Sequence, residues 1–503
     1  MKSYDILVIG GGINGVGIAA DAAGRGLKAL LVEKGDLGGA TSSSSSKLIH
    51  GGLRYLEHYE FRLVREALGE REVLLARAPH IIWPLRFVLP HVAGLRPRWM
   101  VRIGLALYDS LARRKAIPGS SGIDLRLDPA GRALAPGLDR GFAYWDCWVD
   151  DARLVIVTAL AARAAGAEIA PRTEFMQAEP AGGRWRVRLR GPVGERTIEA
   201  GSIVNAAGPW VETVGRRIQV TAGRAPFGSN EAPRVRLVKG SHIVLPRFTG
   251  SDSAYLLQSP DRRVVFVLPF EDRFNLVGTT DVPVTGDPTG IQPSQDEEGY
   301  LLDLVGRFFA TRPTAADIVW RYAGVRPLVD DDTGNPSAVT RDWRLDLAEQ
   351  SEGGALLTVM GGKVTTFRRL AEAALDTLAP YLPPMTPRWT ANATLPGGDI
   401  GEGGPLAFAR VLAEERPQID PAYLWLLARR YGSRARMLLG DARRPADLGA
   451  MLGPALTERE VRFLAAEEWA ETADDILWRR TKAGLHVPPA ERDRLADAVG
   501  RLL

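Results

Sequence analysis

At 503 residues the chain is long enough for two or three domains, and 45% hydrophobic with 25% charged residues is ordinary globular composition. Its 64 basic and 60 acidic residues nearly balance and form no long basic tract, which disfavours a nucleic-acid partner. The single cysteine, Cys147, excludes an internal disulfide, a cysteine-ligated iron–sulfur cluster and a multi-cysteine zinc site.

The opening MKSYDILVIG runs straight into a strand and reads as no signal peptide. No apolar run approaches the ~20 residues a membrane span needs, so the expectation is a soluble or surface-attached protein. The first 35 residues form a βαβ pattern: DILVIG, then a small-residue helix, then LKALLVEK. Gly10, Gly12 and Gly15 make a G-x-G-x-x-G between strand and helix, and Glu33 closes the second strand. The first glycine allows the tight turn, the second lets backbone approach a pyrophosphate, and the third lets helix pack on sheet. Glu33 is placed to accept from a ribose. NAD and FAD both fit this pattern.

Next comes SSSSSKLIHGGLRYLE, residues 42–57. Five serines normally mark a linker, yet these follow a strand closely and lead into an apolar, Gly-Gly-punctuated stretch. Helical patterns fall at 60–78, 98–114, 152–165, 296–310 and 364–379, and strand-like runs at 184–190, 202–208, 241–245, 263–269 and 355–361. This alternation predicts an α/β body. In 95–115, Trp99, Ile103, Leu107 and Leu111 share one helix face, and Arg98, Arg102, Asp109 and Arg113 another. Such a helix suits packing on a core or contact with a membrane surface. IVNAAGPW (203–210) is a strand ending in small residues. VMGGKVTTFRRLAEAAL (359–375) is a strand, the Gly361–Gly362 turn, and a helix opening with Thr365 and Thr366. A helix start beside a flavin would stabilise charge developing on a reduced ring. Residues 380–404 are rich in proline and glycine and read as a linker. Beyond them the pattern is helical, with a capping box at Thr457 and Glu460.

None of the six histidines (His50, His58, His80, His91, His242, His486) forms a metalloprotease-like pair, and no metal is expected. Arginine's planar fork suits binding two oxygens of one anion, and Arg54, Arg326 and Arg341 are candidates for such a role, with Lys363 an added cation. Arg326, between Gly324 and Pro327, reads as part of a rigid turn. Asp330 to Asp332 read as a solvated loop. His242 begins an apolar strand in KGSHIVLP, where a lone histidine is commonly structural.

The segments IGGGINGVGIAADAAGRG, SSSSSKLIHGGLRYLEHYEFRLV, CWVDDARL, VKGSHIVLP, VGTTDV, AGVRPLVDDD and GGKVTTFRRLAE together resemble the FAD-dependent glycerol-3-phosphate dehydrogenases in order and spacing. The resemblance runs from residue 1 to the helical C-terminus. It implies a Rossmann-like FAD-binding domain interleaved with an antiparallel-sheet substrate domain, glycine-oxidase-like, plus a small all-α C-terminal domain. The expected division is a body over 1–387 and a helical domain over 388–503. Within the body, FAD-binding parts fall at about 1–90, 145–215 and 340–387, and substrate parts at about 91–144 and 216–339. The cofactor would be FAD, held by Gly10, Gly12, Asn14, Gly15, Glu33, Thr41, Ser42, Ser46, Leu48, Gly208, Gly361, Gly362, Lys363, Thr365 and Thr366, with the serine tract wrapping the flavin. His242, Arg326 and Lys363 would be catalytic, and Arg54, Arg326 and Arg341 would bind the substrate phosphate.

The implied reaction is sn-glycerol 3-phosphate to dihydroxyacetone phosphate with electrons passed to quinone. The implied location is cytoplasmic or peripheral on the cytoplasmic face of the inner membrane, with a homodimer admissible. The alternatives are a flavin oxidase of a small amine or hydroxy acid using oxygen, an RNA-binding flavoprotein, and a non-catalytic FAD scaffold. One departure stands out: Asn205-Ala206-Ala207-Gly208 lacks the threonine that family members often carry before the glycine.

Overall fold

The computed structural model describes residues 1–92, 96–112, 116–219, 235–259, 263–329, 342–349 and 354–503, the His58 side chain excepted. Two sheets organise the body. The first is centred on Lys2–Ile9, which pairs in parallel with Ala29–Val32 on one side and Gly194–Asn205 on the other. Glu168–Ala170 and Ala355–Met360 extend it, again in parallel, and Arg344–Glu349 adds an antiparallel edge. Ala29–Val32 and Ala355–Met360 are buried at every position, as parallel strands covered on both faces must be. Side chains alternate across the pleat. Ile6 and Val8 join the core under the helices, while Leu7 and Ile9 meet the antiparallel meander Glu174–Ala181, Arg184–Gly191 and Gly194–Asn205. On the helical face, Ile13–Gly24 lies against Asp151–Ala164 and Phe367–Leu378. A Cβ on Gly17 would stand 2.8 Å from the Phe367 ring, so the small-residue helix permits this close approach.

Among the described residues the second sheet has ten strands, antiparallel except where Ala254–Gln258 meets Ile82–Pro90. Val235–Pro246 pairs with Trp320–Val329 along most of its length, and with Phe274–Gly278 and Val282–Val284 on its other side. The order then runs through Val264–Phe270, Ala254–Gln258, Ile82–Pro90 and Arg140–Val149 to Leu48–Ile49. Although Leu48–Ile49 lies at the far end, Ser46 just before it touches His242 in Val235–Pro246. The sheet therefore curls until its ends meet across the serine tract.

Two features differ from the sequence reading. Leu48–Ile49 and Ile82–Pro90, inside the part assigned to FAD binding, pair into the second sheet; a strand's pattern reports burial, not which sheet receives it. Arg326 lies within the strand Trp320–Val329, opposite Val238, and not in a turn. The neighbouring Gly324 is what suggested a turn. Its small size instead serves a close approach, since a Cβ there would stand 2.8 Å from Ser44 O.

After residue 387 the chain builds helices Gly404–Glu415, Pro421–Tyr431, Ala435–Leu439, Glu458–Glu468 and Arg492–Gly500 around a core of their own. A short hairpin, Met451–Gly453 with Leu456–Thr457, departs from an all-helical reading. Thr457 caps its helix by accepting from Glu460 N at 3.3 Å, but Glu460 does not reciprocate. Its buried carboxylate accepts instead from Tyr423 and Tyr431 hydroxyls and from Arg430. This domain grips the body through buried charges. Asp36 accepts from Arg480 at 2.6 and 2.7 Å and from Arg479. Asp150 pairs with Lys482, and Arg153 with Glu468.

Candidate active site

The nucleotide end is shaped by backbone clearance. Gly10 has φ +113°, in a region that favours glycine, and a Cβ there would lie 2.5 Å from Ala206 O. A Cβ on Gly15 would lie 1.9 Å from Gly10 O, so helix and turn interlock only with glycine at both places. Glu33 accepts from Gly11 N (2.7 Å) and Gly35 N (2.8 Å), bracing the turn from below. Burial pushes its carboxyl up from the ordinary value while both amides oppose that shift. Asn205 fastens its own turn, donating to Val211 O at 2.8 Å, and Gly208 follows at φ +56°. The side chain of Asn14 donates to Gly361 O at 3.2 Å, tying the glycine turn to the Gly361–Gly362 turn. Its Oδ1 is buried with no hydrogen-bond partner among the described residues.

The serine tract is fully placed. Ser42 Oγ accepts from Ile13 N at 3.0 Å, capping the helix Ile13–Gly24 from outside. Thr41 donates to Val325 O (2.7 Å) in the second sheet. Ser45 and Lys47 bind Asp151, and Ser46 Oγ lies 3.0 Å from His242 Nε2. Leu48 is buried and pairs with Trp148, and His50 N donates to Thr365 Oγ1 at 3.2 Å, joining the tract's exit to the turn Val364–Thr366. Thr366 is buried beside it. The tract thus bridges the glycine turn, both sheets and the last motif.

Strand register assembles the substrate end. His242 stands opposite Gly278 and Tyr322. A Cβ on Gly278 would lie 2.1 Å from the imidazole, so that glycine makes room for the ring. The Tyr322 ring stacks on it, centroids 4.8 Å apart at 17°, and the Tyr322 hydroxyl donates to Ser45 O (2.9 Å). His242 is 2% exposed, and its Nδ1 has no hydrogen-bond partner among the described residues. Burial, reinforced by Arg326 and Lys47, holds the imidazole well below its ordinary pKa, so it is neutral. Arg326 pairs with Asp281 and donates to Thr279 Oγ1 at 3.1 Å. Lys363 Nζ lies 3.7 Å from the centroid of the Tyr55 ring, and Arg54 is half-buried on the turn Leu53–His58. Arg341 and Asp330 to Asp332 lie outside the described residues.

The sequence reading missed Lys47, Asp151, Asp281 and Tyr322. A lysine at the end of a polar tract, and an acid beginning a helix 104 positions away, gave no local sign of pairing. The stripe at 95–115 also reads differently in three dimensions. The helix Arg98–Ser110 buries Leu105 and Tyr108, whereas Trp99 and Ile103 are 63% and 60% exposed and Met100 and Leu107 also face out. Leu111 packs partly on the core, and Arg113 lies outside the described residues. Tyr108 anchors the helix, its hydroxyl accepting from Gly51 N (2.9 Å) and donating to Asp146.

A strand–glycine-turn–helix of this kind is a dinucleotide-binding arrangement, and here it faces a curled antiparallel sheet. FAD fits it: glycines keep the turn clear, and an unpartnered buried acceptor, Asn14 Oδ1, lies between the two glycine motifs. The FAD dependent oxidoreductase family model matches residues 5–368, and a model for the C-terminal domain of alpha-glycerophosphate oxidase matches 388–502. The chain belongs to the FAD dependent oxidoreductases.

A glycerol-3-phosphate dehydrogenase of Pseudomonas aeruginosa is 50% identical over 98% of this chain and 94% of its own. A D-erythritol 1-phosphate dehydrogenase of Brucella abortus is 49% identical over 98% of this chain and 96% of its own. The glycerol-3-phosphate dehydrogenase from Bacillus halodurans complexed with FAD superposes at TM-score 0.74, 25% identical, over 100% of this chain and 94% of that one.

Proposed function

We propose that this chain oxidises sn-glycerol 3-phosphate to dihydroxyacetone phosphate, its electrons passing on to a membrane quinone. When bound, FAD supplies the acceptor for a hydride. The observation that carries the reading is a buried, neutral His242 with a bare Nδ1, close to the cation Arg326. Nδ1 takes the proton of the substrate hydroxyl, for which a neutral imidazole is the competent form. Arg326, Arg54 and Arg341 hold the phosphate, and Lys363 adds a fourth positive charge. Gly10, Gly12, Asn14, Gly15 and Glu33 hold the pyrophosphate and ribose. Thr41, Ser42, Ser46, Leu48, Gly208, Gly361, Gly362, Lys363, Thr365 and Thr366 line the flavin. The division into body and helical domain falls at 387/388 in this reading.

The cation set favours a phosphorylated alcohol over an amine or unphosphorylated hydroxy acid, and the Pseudomonas relative's name agrees. The Brucella relative, equally similar, supports a second reading with a longer polyol phosphate. Anaerobic bleaching of the bound flavin tests both. Faster bleaching by sn-glycerol 3-phosphate than by D-erythritol 1-phosphate upholds the first, the reverse order establishes the second, and bleaching only by an amine overturns both.

Among the described residues no helix is long and apolar enough to cross a membrane. The exposed Trp99, Met100, Ile103 and Leu107 suit insertion into a bilayer interface on the cytoplasmic side, next to the Gly51 turn. Flotation with anionic vesicles checks this: a Trp99→Glu/Ile103→Glu double variant should remain in the protein layer while the parent floats.

A further inference from the structure

Three consecutive residues of the serine tract bind in opposite directions. Ser45 and Lys47 face the start of the helix Asp151–Ala164, where Asp151 Oδ2 accepts from Ser45 N (3.1 Å) and Ser45 Oγ (2.7 Å). Asp151 Oδ1 accepts from Lys47 Nζ (2.7 Å) and Ala152 N (2.8 Å). Ser46, between them, faces the other way, its Oγ 3.0 Å from His242 Nε2.

This arrangement is held more firmly than packing requires. The Asp151 carboxylate takes four donors, about the number its two oxygens accommodate. It is fully buried, as is Lys47, so breaking one side of the pair strands a charge. Lys47 has φ +56°, a left-handed conformation uncommon outside glycine, and such backbones persist where the surroundings over-determine them. Here Lys47 Nζ also donates to Ser43 O (3.1 Å), closing the tract on itself. Tyr322 completes the frame. Its hydroxyl holds Ser45 O, its ring stacks on His242, and Lys47 Nζ lies 5.2 Å from its centroid.

An imidazole has one proton to place when neutral. For Nδ1 to take the substrate proton, Nε2 must carry the ring's own, and Nε2–H then needs an acceptor. Ser46 Oγ is the atom within reach. We propose that Asp151 is a positioning residue: by pinning Ser45 and Lys47 it aims Ser46 Oγ at His242 Nε2 as an acceptor, keeping Nδ1 bare for the substrate hydroxyl. This rests on the reading of His242 as the base. Asp151 touches neither His242 nor the reacting atoms; its influence passes through two side chains.

The test uses FAD-loaded enzyme labelled with 15N-imidazole histidine. Six histidines give a readable spectrum, and the His242 signals are those absent from His242→Gln. The parent should show a single tautomer protonated at Nε2. Asp151→Asn should show mixed tautomers, with anaerobic flavin reduction by sn-glycerol 3-phosphate slowed about tenfold or more, and with flavin content and KM little changed. Ser46→Ala should show the same mixed tautomers, and Ser46→Thr should restore the parental tautomer. A parental tautomer and parental reduction rate in Asp151→Asn would overturn the proposal. Should Asp151→Asn not fold, Ser45→Ala removes one donor and leaves the ion pair intact. It should move the tautomer the same way by less, and no movement would again overturn the idea. If His242→Gln reduces flavin at the parental rate, the base reading fails, while the tautomer in Asp151→Asn still decides whether Asp151 positions the ring.

Discussion

The two ends of the candidate site are built by different means. At the nucleotide end the constraints are steric and local: Gly10, Gly15 and Ala206, just past the strand Gly194–Asn205, leave no room for a side chain. At the substrate end, Ser46 and His242 are 196 positions apart, and strand register and buried charge bring them together. A glycine states how much space its own backbone has. A charge says nothing of its partner until the chain has folded.

The largest effect should come from breaking the steric end. Gly15→Ala places a methyl group 1.9 Å from Gly10 O, and the protein should purify colourless, as its visible spectrum will report. Breaking the charged end should leave the colour and remove the rate. Arg326→Ala should keep FAD but lower kcat/KM for sn-glycerol 3-phosphate by roughly two to three orders of magnitude, given about 1.5–3 kcal/mol for each charge-assisted hydrogen bond. Arg326→Lys should recover little, because an ammonium cannot bind two oxygens in one plane.

A subtler change concerns pH. With His242 as the proposed base, the competent form is the neutral imidazole, and burial with Arg326 and Lys47 nearby lowers its pKa well below 6.5. The reduction rate should therefore hold as pH falls through 6.5 and decline only well below it. Stopped-flow profiles of flavin reduction against pH check this. The smallest effect lies outside both ends. Thr457→Ala removes a helix cap worth about 1 kcal/mol and should lower Tm by roughly 2 °C without altering flavin reduction.

That contrast also explains what the sequence disclosed. Helices expected at 60–78, 152–165 and 364–379 appear as Phe61–Arg77, Asp151–Ala164 and Phe367–Leu378, because long periodic segments bury a consistent face. The glycine turn was legible for the steric reason above. The serine tract was legible only through resemblance, since composition alone would make it a linker. Arg326 looked like a turn residue because Gly324 and Pro327 flank it, while cross-strand pairing with Val235–Pro246 decided otherwise. Glu460 fitted a capping box by spacing, yet Tyr423, Tyr431 and Arg430 offered its carboxylate stronger partners. Asp151 carried no signal, for its meaning depends on Lys47.

The grip of the helical domain bears on the order in which the molecule can be made. Asp36 and Asp150 lie beside the glycine turn and the serine anchor, yet their counter-charges Arg480 and Lys482 are encoded more than three hundred positions downstream. Until those positions leave the ribosome, Asp36 and Asp150 lack these counter-charges. Translation arrested before residue 468 should yield nascent chains that retain no FAD on pelleting, whereas release of the whole chain should let it bind. Cofactor loading then becomes a signal that synthesis has passed the counter-charges of Asp36 and Asp150.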